Sequence, residues 1–240
     1  MPLVCVYKPL GLTPLQALNL LRERYPHYQD SVLSYAGRLD PLAEGVMLVL
    51  VDGANQERER YLGLDKEYEF EILFGVSTDT GDLMGLVQEV ADPGVIGKEA
   101  AEEALADFVG RRQQSSPRYS SPGIDGKDFV KEVEIYEAEA LSVGTIAGAR
   151  ILDSGSARIG SVQGEFRQEE IVSRWREVLK GKEAVEYPLV RMRVFASSGT
   201  YIRVLAEEMG KKMGLPALAF SIKRTRAGQH GVADCLPLDR

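Results

Sequence analysis

The chain has 240 residues, 44% apolar and 27% charged, which suits one large domain, or one domain with an insertion, able to bury a sizeable core. Its net charge of −7 argues mildly against a nucleic-acid partner, because phosphate contacts come from Lys and Arg. Two cysteines and two histidines argue against a disulfide scaffold and a zinc site, and no stretch approaches the ~20 apolar residues of a membrane helix.

The start, MPLVCVYKPLG, lacks the features of a signal peptide, so a reducing cytoplasm is the expected compartment. Basic residues gather locally at Arg22/Arg24, Arg111/Arg112, Arg191/Arg193, Lys211/Lys212 and Lys223/Arg224/Arg226. Their placement matters more than the sum, although each cluster reads equally well as solvated surface.

In chain order, Val4 to Tyr7 reads as a strand and KPLG as a turn. Thr13 then caps a helix with Pro14 in its first turn, and that helix should stop before Pro26. Val46 to Val51 is an unbroken apolar run, as for a strand buried on both faces. From Glu67 to Phe74 the residues alternate, placing Tyr68, Phe70, Ile72 and Phe74 on one face and the glutamates on the other. STDTGDLMGLV reads as a turn, and its Asp79 and Asp82 do not fit a calcium loop. Lys98 to Val109 reads as helix, Ser115 to Asp128 as loop, and Val130 to Tyr136 as strand.

Gly144 to Gly164 is glycine-rich without a clear period, and Gln168 to Leu179 is an amphipathic helix around Trp175. Pro188 to Ala196 alternates as a strand, Thr200 caps a helix bearing Ile202, Leu205 and Met209, and GLPALAFSI reads as helical core. Strands and helices interleave irregularly, which predicts an α/β (α+β) fold: a mixed sheet flanked by helices.

Three residues stand out. Asp40 sits in RLDPL just before the buried run, an address for a catalytic group or simply a turn cap. Arg203 lies in the first turn of a helix, where the macrodipole disfavours a cation. It either pairs with Glu207 one turn on or points at a carboxylate in a cleft and keeps it ionised. Tyr68 is either core packing or a stacking surface for a base.

Six stretches, YKPLGLTP, AGRLDPLAEGVMLV, DKEYEFEILFGVSTDTGD, QSSPRYSSPGIDGKDF, SSGTYIRVLAEEMG and IKRTRAGQHG, occur in one order over most of the chain. In that order they resemble the TruB family of tRNA pseudouridine synthases, which isomerise the T-loop uridine at tRNA position 55. The resemblance implies a pseudouridine synthase fold with a central, mostly antiparallel sheet. It implies Asp40 as the catalytic aspartate, Tyr68 as the tyrosine that stacks on the base and moves a proton, and Arg203 as the aspartate's partner. Tyr201, Ile222, Tyr35 and Lys66 match substrate-binding positions, while Lys8 and Pro9 match a motif whose role is mainly structural. It further implies the tRNA T-arm stem-loop as partner, a monomer, and no metal, nucleotide or redox cofactor.

Four departures accompany the likeness. Tyr35 stands where the family has a histidine, Gln56 where a lysine is usual, and Ile222 where a leucine is usual. An atypical insertion occupies residues 144–184, as either an extra RNA-docking lobe or a cover for a sheet edge. The chain is read as one catalytic domain, 1–240, without a C-terminal PUA domain. Two rival readings remain open: an RNA-binding folding factor that has lost catalysis, and a pseudouridine synthase acting on ribosomal or other RNA. A retaining glycosidase is more remote, because no second carboxylate partner is evident in the sequence.

Overall fold

Among the described residues, strand β1 (Leu3–Lys8) pairs antiparallel with β3 (Ala43–Val51) toward one edge of a ten-stranded sheet. The computed structural model describes residues 3–117 and 129–238; the greater part of the expected 115–128 loop lies outside them. Between β1 and β3 come α1 (Pro14–Arg24), a single 3-10 turn (Pro26–Tyr28) and β2 (Leu33–Ala36), which pairs with β3. The start of α1 follows from its sequence. Gln16 N–H donates to Thr13 Oγ1 (3.3 Å) and Thr13 N–H to Gln16 Oε1 (2.7 Å), closing a capping box around Pro14. The helix ends before Pro26, as expected.

After β3, a 3-10 stretch (Asp52–Glu57) and α2 (Arg58–Leu62) lead into β4 (Lys66–Phe74). A small hairpin, β5 (Val76–Thr78) and β6 (Val87–Val90), embraces the TGD turn. Then follow α3 (Lys98–Ala106), β7 (Gly110–Ser115), β8 (Val130–Ala147), α4 (Gly148–Ser161), α5 (Gln168–Leu179) and β9 (Glu186–Ala196). The chain finishes with α6 (Ile202–Met213), β10 (Ala217–Ala227), β11 (His230–Gly231) and β12 (Leu236–Pro237). The main sheet runs β12-β1-β3-β10-β4-β9-β8-β7 and is antiparallel except for β1 with β12 and β3 with β10. This is the mixed, mostly antiparallel α/β architecture expected from the sequence.

Three local readings need correction. GLPALAFSI is not helical: Pro216 follows the left-handed Gly214 that ends α6, and Ala217 onward pairs with β4 and then β3. A strand buried on both faces has no period to distinguish it from a buried helix. Thr200 does not cap α6; Tyr201 holds the cap position, while Thr200 Oγ1 donates to Ser197 O (2.9 Å). The 130–136 strand runs on to Ala147, and the glycine-rich stretch after it folds as α4.

Apolar residues gather on both faces of the sheet. Val6, Leu21, Met47, Phe70, Ile72, Met192, Leu205 and Met209 pack together on the face toward α1, α3 and α6. On the opposite face Leu73, Leu218 and Phe220 pack under α4 and α5 with Ile151, Trp175 and Leu179. Nearer α2, Val46, Leu48 and Leu50 fill a smaller cluster, so β3 is covered on both sides, as its unbroken apolar run required. The two cysteines, too few for a disulfide scaffold and read as fitting a reducing compartment, are joined as a Cys5–Cys235 disulfide. Among the described residues no helix is long and apolar enough to cross a membrane.

Candidate active site

The turn between β2 and β3 carries Asp40, and buried cations hold it at both ends. Gly37 opens the turn with φ of +83°, and its carbonyl accepts Arg224 Nη2 (3.0 Å), while Arg224 Nε donates to Val46 O (2.6 Å). At the far end, Lys8 Nζ donates to Leu12 O (2.6 Å), Pro9 O (3.0 Å) and Pro41 O (3.4 Å). Gly11 N–H also donates to Pro41 O (2.9 Å), and Ala43 N–H closes the turn on Asp40 O (3.0 Å). Burial presses the Lys8 ammonium toward neutrality, lowering its pKa to about 7 although Asp40 attracts the charged form. Asp40 is thereby presented with 34% of its side chain exposed.

Arg203, in the first turn of α6, meets it there. Its Nε lies 2.9 Å from Asp40 Oδ2 and 3.7 Å from Asp82 Oδ2, and Nη1 donates to Thr80 O (2.7 Å). The side chain is only 6% exposed. Burial works against its charge, but Asp40 and Asp82 outweigh that effect and hold its pKa above the ordinary arginine value. Those two carboxylates also explain why a cation is tolerated at a helix N-terminus. Glu207, the alternative partner one turn along, acts only as a longer-range attraction.

Asp82 is what sequence reasoning missed. It does make the expected tight turn, with Gly85 N–H donating to its carbonyl (3.3 Å). Its side chain is also buried, accepting Thr80 Oγ1 (2.7 Å) and Met84 N–H (2.9 Å) at Oδ1. Burial raises its pKa, and Arg203, Thr80 and the Met84 amide oppose the rise. The available signal was an aspartate directly before the apolar pair Leu83-Met84, since burying that pair takes the carboxylate in with it and demands a counter-charge.

A cavity of about 530 Å³ opens over this pair, lined among others by Arg38, Asp40, Tyr68, Tyr201, Arg203 and Ile222. Tyr68 and Ile222 are buried neighbours on β4 and β10 that give an aromatic and aliphatic floor. Gln114 fixes the Tyr201 backbone from both sides, donating to its carbonyl (3.0 Å) and accepting its N–H (2.7 Å). Lys66 lines the cavity, but its ammonium is buried and donates to Leu62 O (2.7 Å) and Leu64 O. Burial, then repulsion from Arg224, lowers its pKa to about 8. Tyr35 is not among the lining residues: it is half-buried on β2 and packs on the main core. Gln56 is exposed outside the cavity.

Among the described residues no group of three or more His, Cys, Asp and Glu is placed to hold a metal ion. The arrangement is a carboxylate fixed by a guanidinium, facing a cavity that Tyr68 and Tyr201 help to line.

Residues 28–144 match the family described as TruB family pseudouridylate synthase, N-terminal domain. The tRNA pseudouridine synthase B of Bacteroides thetaiotaomicron is 30% identical over 232 residues, spanning 95% of this chain and 86% of that protein. That of Deinococcus radiodurans is 28% identical over 254 residues, spanning 100% and 78%. Among solved structures, a Cbf5-Nop10-Gar1 complex superposes with TM-score 0.65 at 19% identity over 98% of this chain. An archaeal box H/ACA sRNP Nop10-Cbf5 complex gives 0.60 at 16% over 98%. The chain spans about half the length of those solved chains, 52% and 51%, so this likeness speaks to the fold.

Proposed function

The chain belongs to the TruB family of pseudouridine synthases, and from that premise we propose that it isomerises uridine 55 in the T-loop of tRNA with Asp40 as the catalytic carboxylate. What supports this reading above all is the 2.9 Å contact between Arg203 Nε and Asp40 Oδ2 beneath a cavity shared with Tyr68 and Tyr201.

The reaction is redox-neutral. The C1′–N1 bond of uridine breaks, the base turns over, a C1′–C5 bond forms, C5 loses a proton and N1 gains one. No cofactor has to supply electrons or a group. Asp40, held 2.9 Å from Arg203 Nε, either attacks C1′ or takes the C2′ proton, and both routes need a carboxylate that is charged yet reachable. Arg203 can hold it through the cycle because Asp82 and Thr80 fix the guanidinium independently. Tyr68 stacks on the base and handles the C5 proton, Ile222 supports the ring from below, and Tyr201 closes the wall. Lys66 and Arg224 bring positive charge under the sugar-phosphate. The target base reaches this slot by flipping out of its loop, at a cost of a few kcal/mol. The protein acts as a monomer in the cytoplasm, as one catalytic domain with an insertion between β8 and β9.

Asp40→Asn tests the reading. Purified Asp40→Asn should leave the uridine of a T-arm stem-loop unconverted while it folds and binds that RNA like the wild type; conversion at the wild-type rate would remove Asp40 from the chemistry. A wild-type chain that binds the stem-loop yet converts nothing would instead be a folding factor, and one active only on ribosomal fragments would have another target.

A further inference from the structure

The α4–α5 lobe, inserted between β8 and β9, touches both turns that carry the carboxylates of the site. On the Asp82 side, Leu83 is 1% exposed and packs on α4, where a Cβ added to Gly155 would stand 3.7 Å from Leu83 Cδ2. Met84, whose amide holds Asp82 Oδ1, lies in the same apolar cluster as Ile151, Ile159 and Trp175. Arg167, at the start of α5, forms an ion pair with Asp79 (3.5 Å), three residues before Asp82.

On the Asp40 side the link runs through backbone. Gln163 N–H, between the two helices, donates to Gly11 O (3.0 Å), and Gly11 N–H donates in turn to Pro41 O (2.9 Å), next to Asp40. The approach is close: a side chain at Gly11 would come within 2.5 Å of the Ser161 carbonyl at the end of α4. Leu42, two residues after Asp40, is buried in the lobe's cluster and not in the main core. The lobe's charges give no comparable sign of an RNA-docking arm, since residues 148–183 carry seven Lys and Arg against six Asp and Glu.

We infer that the α4–α5 lobe is a positioning element that seats the Asp40 and Asp82 turns against Arg203, through Leu83 on Gly155, Leu42 in the shared cluster, and the Gln163–Gly11–Pro41 hydrogen-bond chain. The inference rests on the isomerase reading for its kinetic consequence, but its structural consequence stands apart from it. Arg203 can serve two carboxylates only if both turns keep their height above the sheet. The lobe contacts both turns, alongside β10, whose Ala219 N–H donates to Gly81 O (2.9 Å) and whose Arg224 donates to Gly37 O (3.0 Å).

The experiment uses the full chain. Gly155→Leu crowds Leu83, and Leu83→Ala empties the same contact; the second variant takes over if the first does not fold. Single-turnover conversion of a T-arm stem-loop should fall about 10- to 100-fold while its Kd stays within about twofold of wild type. In the free protein, amide exchange at Gly11, Ala43 and Met84 should quicken while β4 and β9 keep their protection. A third variant, Arg150→Gln/Arg176→Gln/Lys180→Gln, removes exposed lobe cations and should leave both rate and Kd unchanged. The inference is overturned if a folded Gly155→Leu or Leu83→Ala protein keeps the wild-type rate and exchange pattern. It is equally overturned if the charge variant weakens RNA binding about tenfold, the outcome expected of a docking arm. A wild-type chain that converts no uridine would defeat the isomerase reading alone, and the exchange data would still judge the lobe.

Discussion

On the outer face of the sheet Arg191 reaches Glu69, Arg193 reaches Glu139 (2.6 Å) and Arg226 reaches Glu67 (3.4 Å), with about half of each arginine in water. At the cavity floor Arg203 reaches Asp40 and Asp82 almost wholly out of water. The partners are chemically alike and the energetics are opposite. Exposed pairs gain ~0–1 kcal/mol each and fade with salt. A buried pair gives up hydration that its own attraction barely repays, and removing one member leaves an uncompensated charge. The outer ladder can be read as the way an antiparallel sheet keeps one face wet. Arg191, for instance, stands opposite Glu71 but bonds diagonally to Glu69, freeing Glu71 for Ser221 (2.6 Å). The inner cluster contributes little as a stabiliser, which fits the chemical role proposed for it.

Substitutions can break this contrast. Arg203→Met should have the largest effect, costing about 3–5 kcal/mol by urea unfolding because two carboxylates lose their counter-charge, and ending isomerisation altogether. Asp82→Asn keeps the shape but lets Arg203 swing; stability should drop by about 1–3 kcal/mol and turnover by more than substrate affinity, measured as separate kcat and KM changes.

Lys8→Met sharpens the comparison through pH. A buried lysine titrating near 7 is a cation in the folded chain below that pH and loses its proton above it, whereas in the unfolded chain it stays protonated up to about pH 10. The unfolded state therefore binds more protons across that window, and wild-type stability should rise with pH between about 7 and 10, by at most ~1.4 kcal/mol per pH unit from this group. Lys8→Met should be less stable at pH 7, since the Leu12, Pro9 and Pro41 carbonyls lose the Lys8 donor and only Pro41 O keeps another, Gly11 N–H, yet it should show a flatter profile when urea midpoints are taken along the pH series. The smallest effect belongs to the outer ladder: a double-mutant cycle with Arg193→Gln and Glu139→Gln should give a coupling below about 1 kcal/mol that fades in salt, with catalysis untouched.

What could be read from the sequence followed the range of the interactions. The N-cap at Thr13, the alternation of β4 and the span of α5 are local, and each stood where its pattern placed it. The meeting of Asp40 with Arg203 was reachable through motifs that carry long-range pairing implicitly. Asp82, Gln114 and the carbonyl-bound Lys8 were not, because their roles depend on partners far along the chain and not on neighbours in sequence. The misread β10 belongs with these, since its apolar residues are explained only by strands on both sides.

The parallel seam between β3 and β10 is only three residue pairs long, Ile222 with Ala43, Lys223 with Glu44 and Arg224 with Gly45. It joins two leaves of the sheet, and the carboxylate stands on one leaf while its guanidinium and Tyr68 stand on the other. Turnover is thus a gauge of whether the leaves are shut: a wedge, a denaturant or a crowding side chain at Gly45 that parts them by a fraction of an ångström would silence the enzyme while each leaf still looked folded.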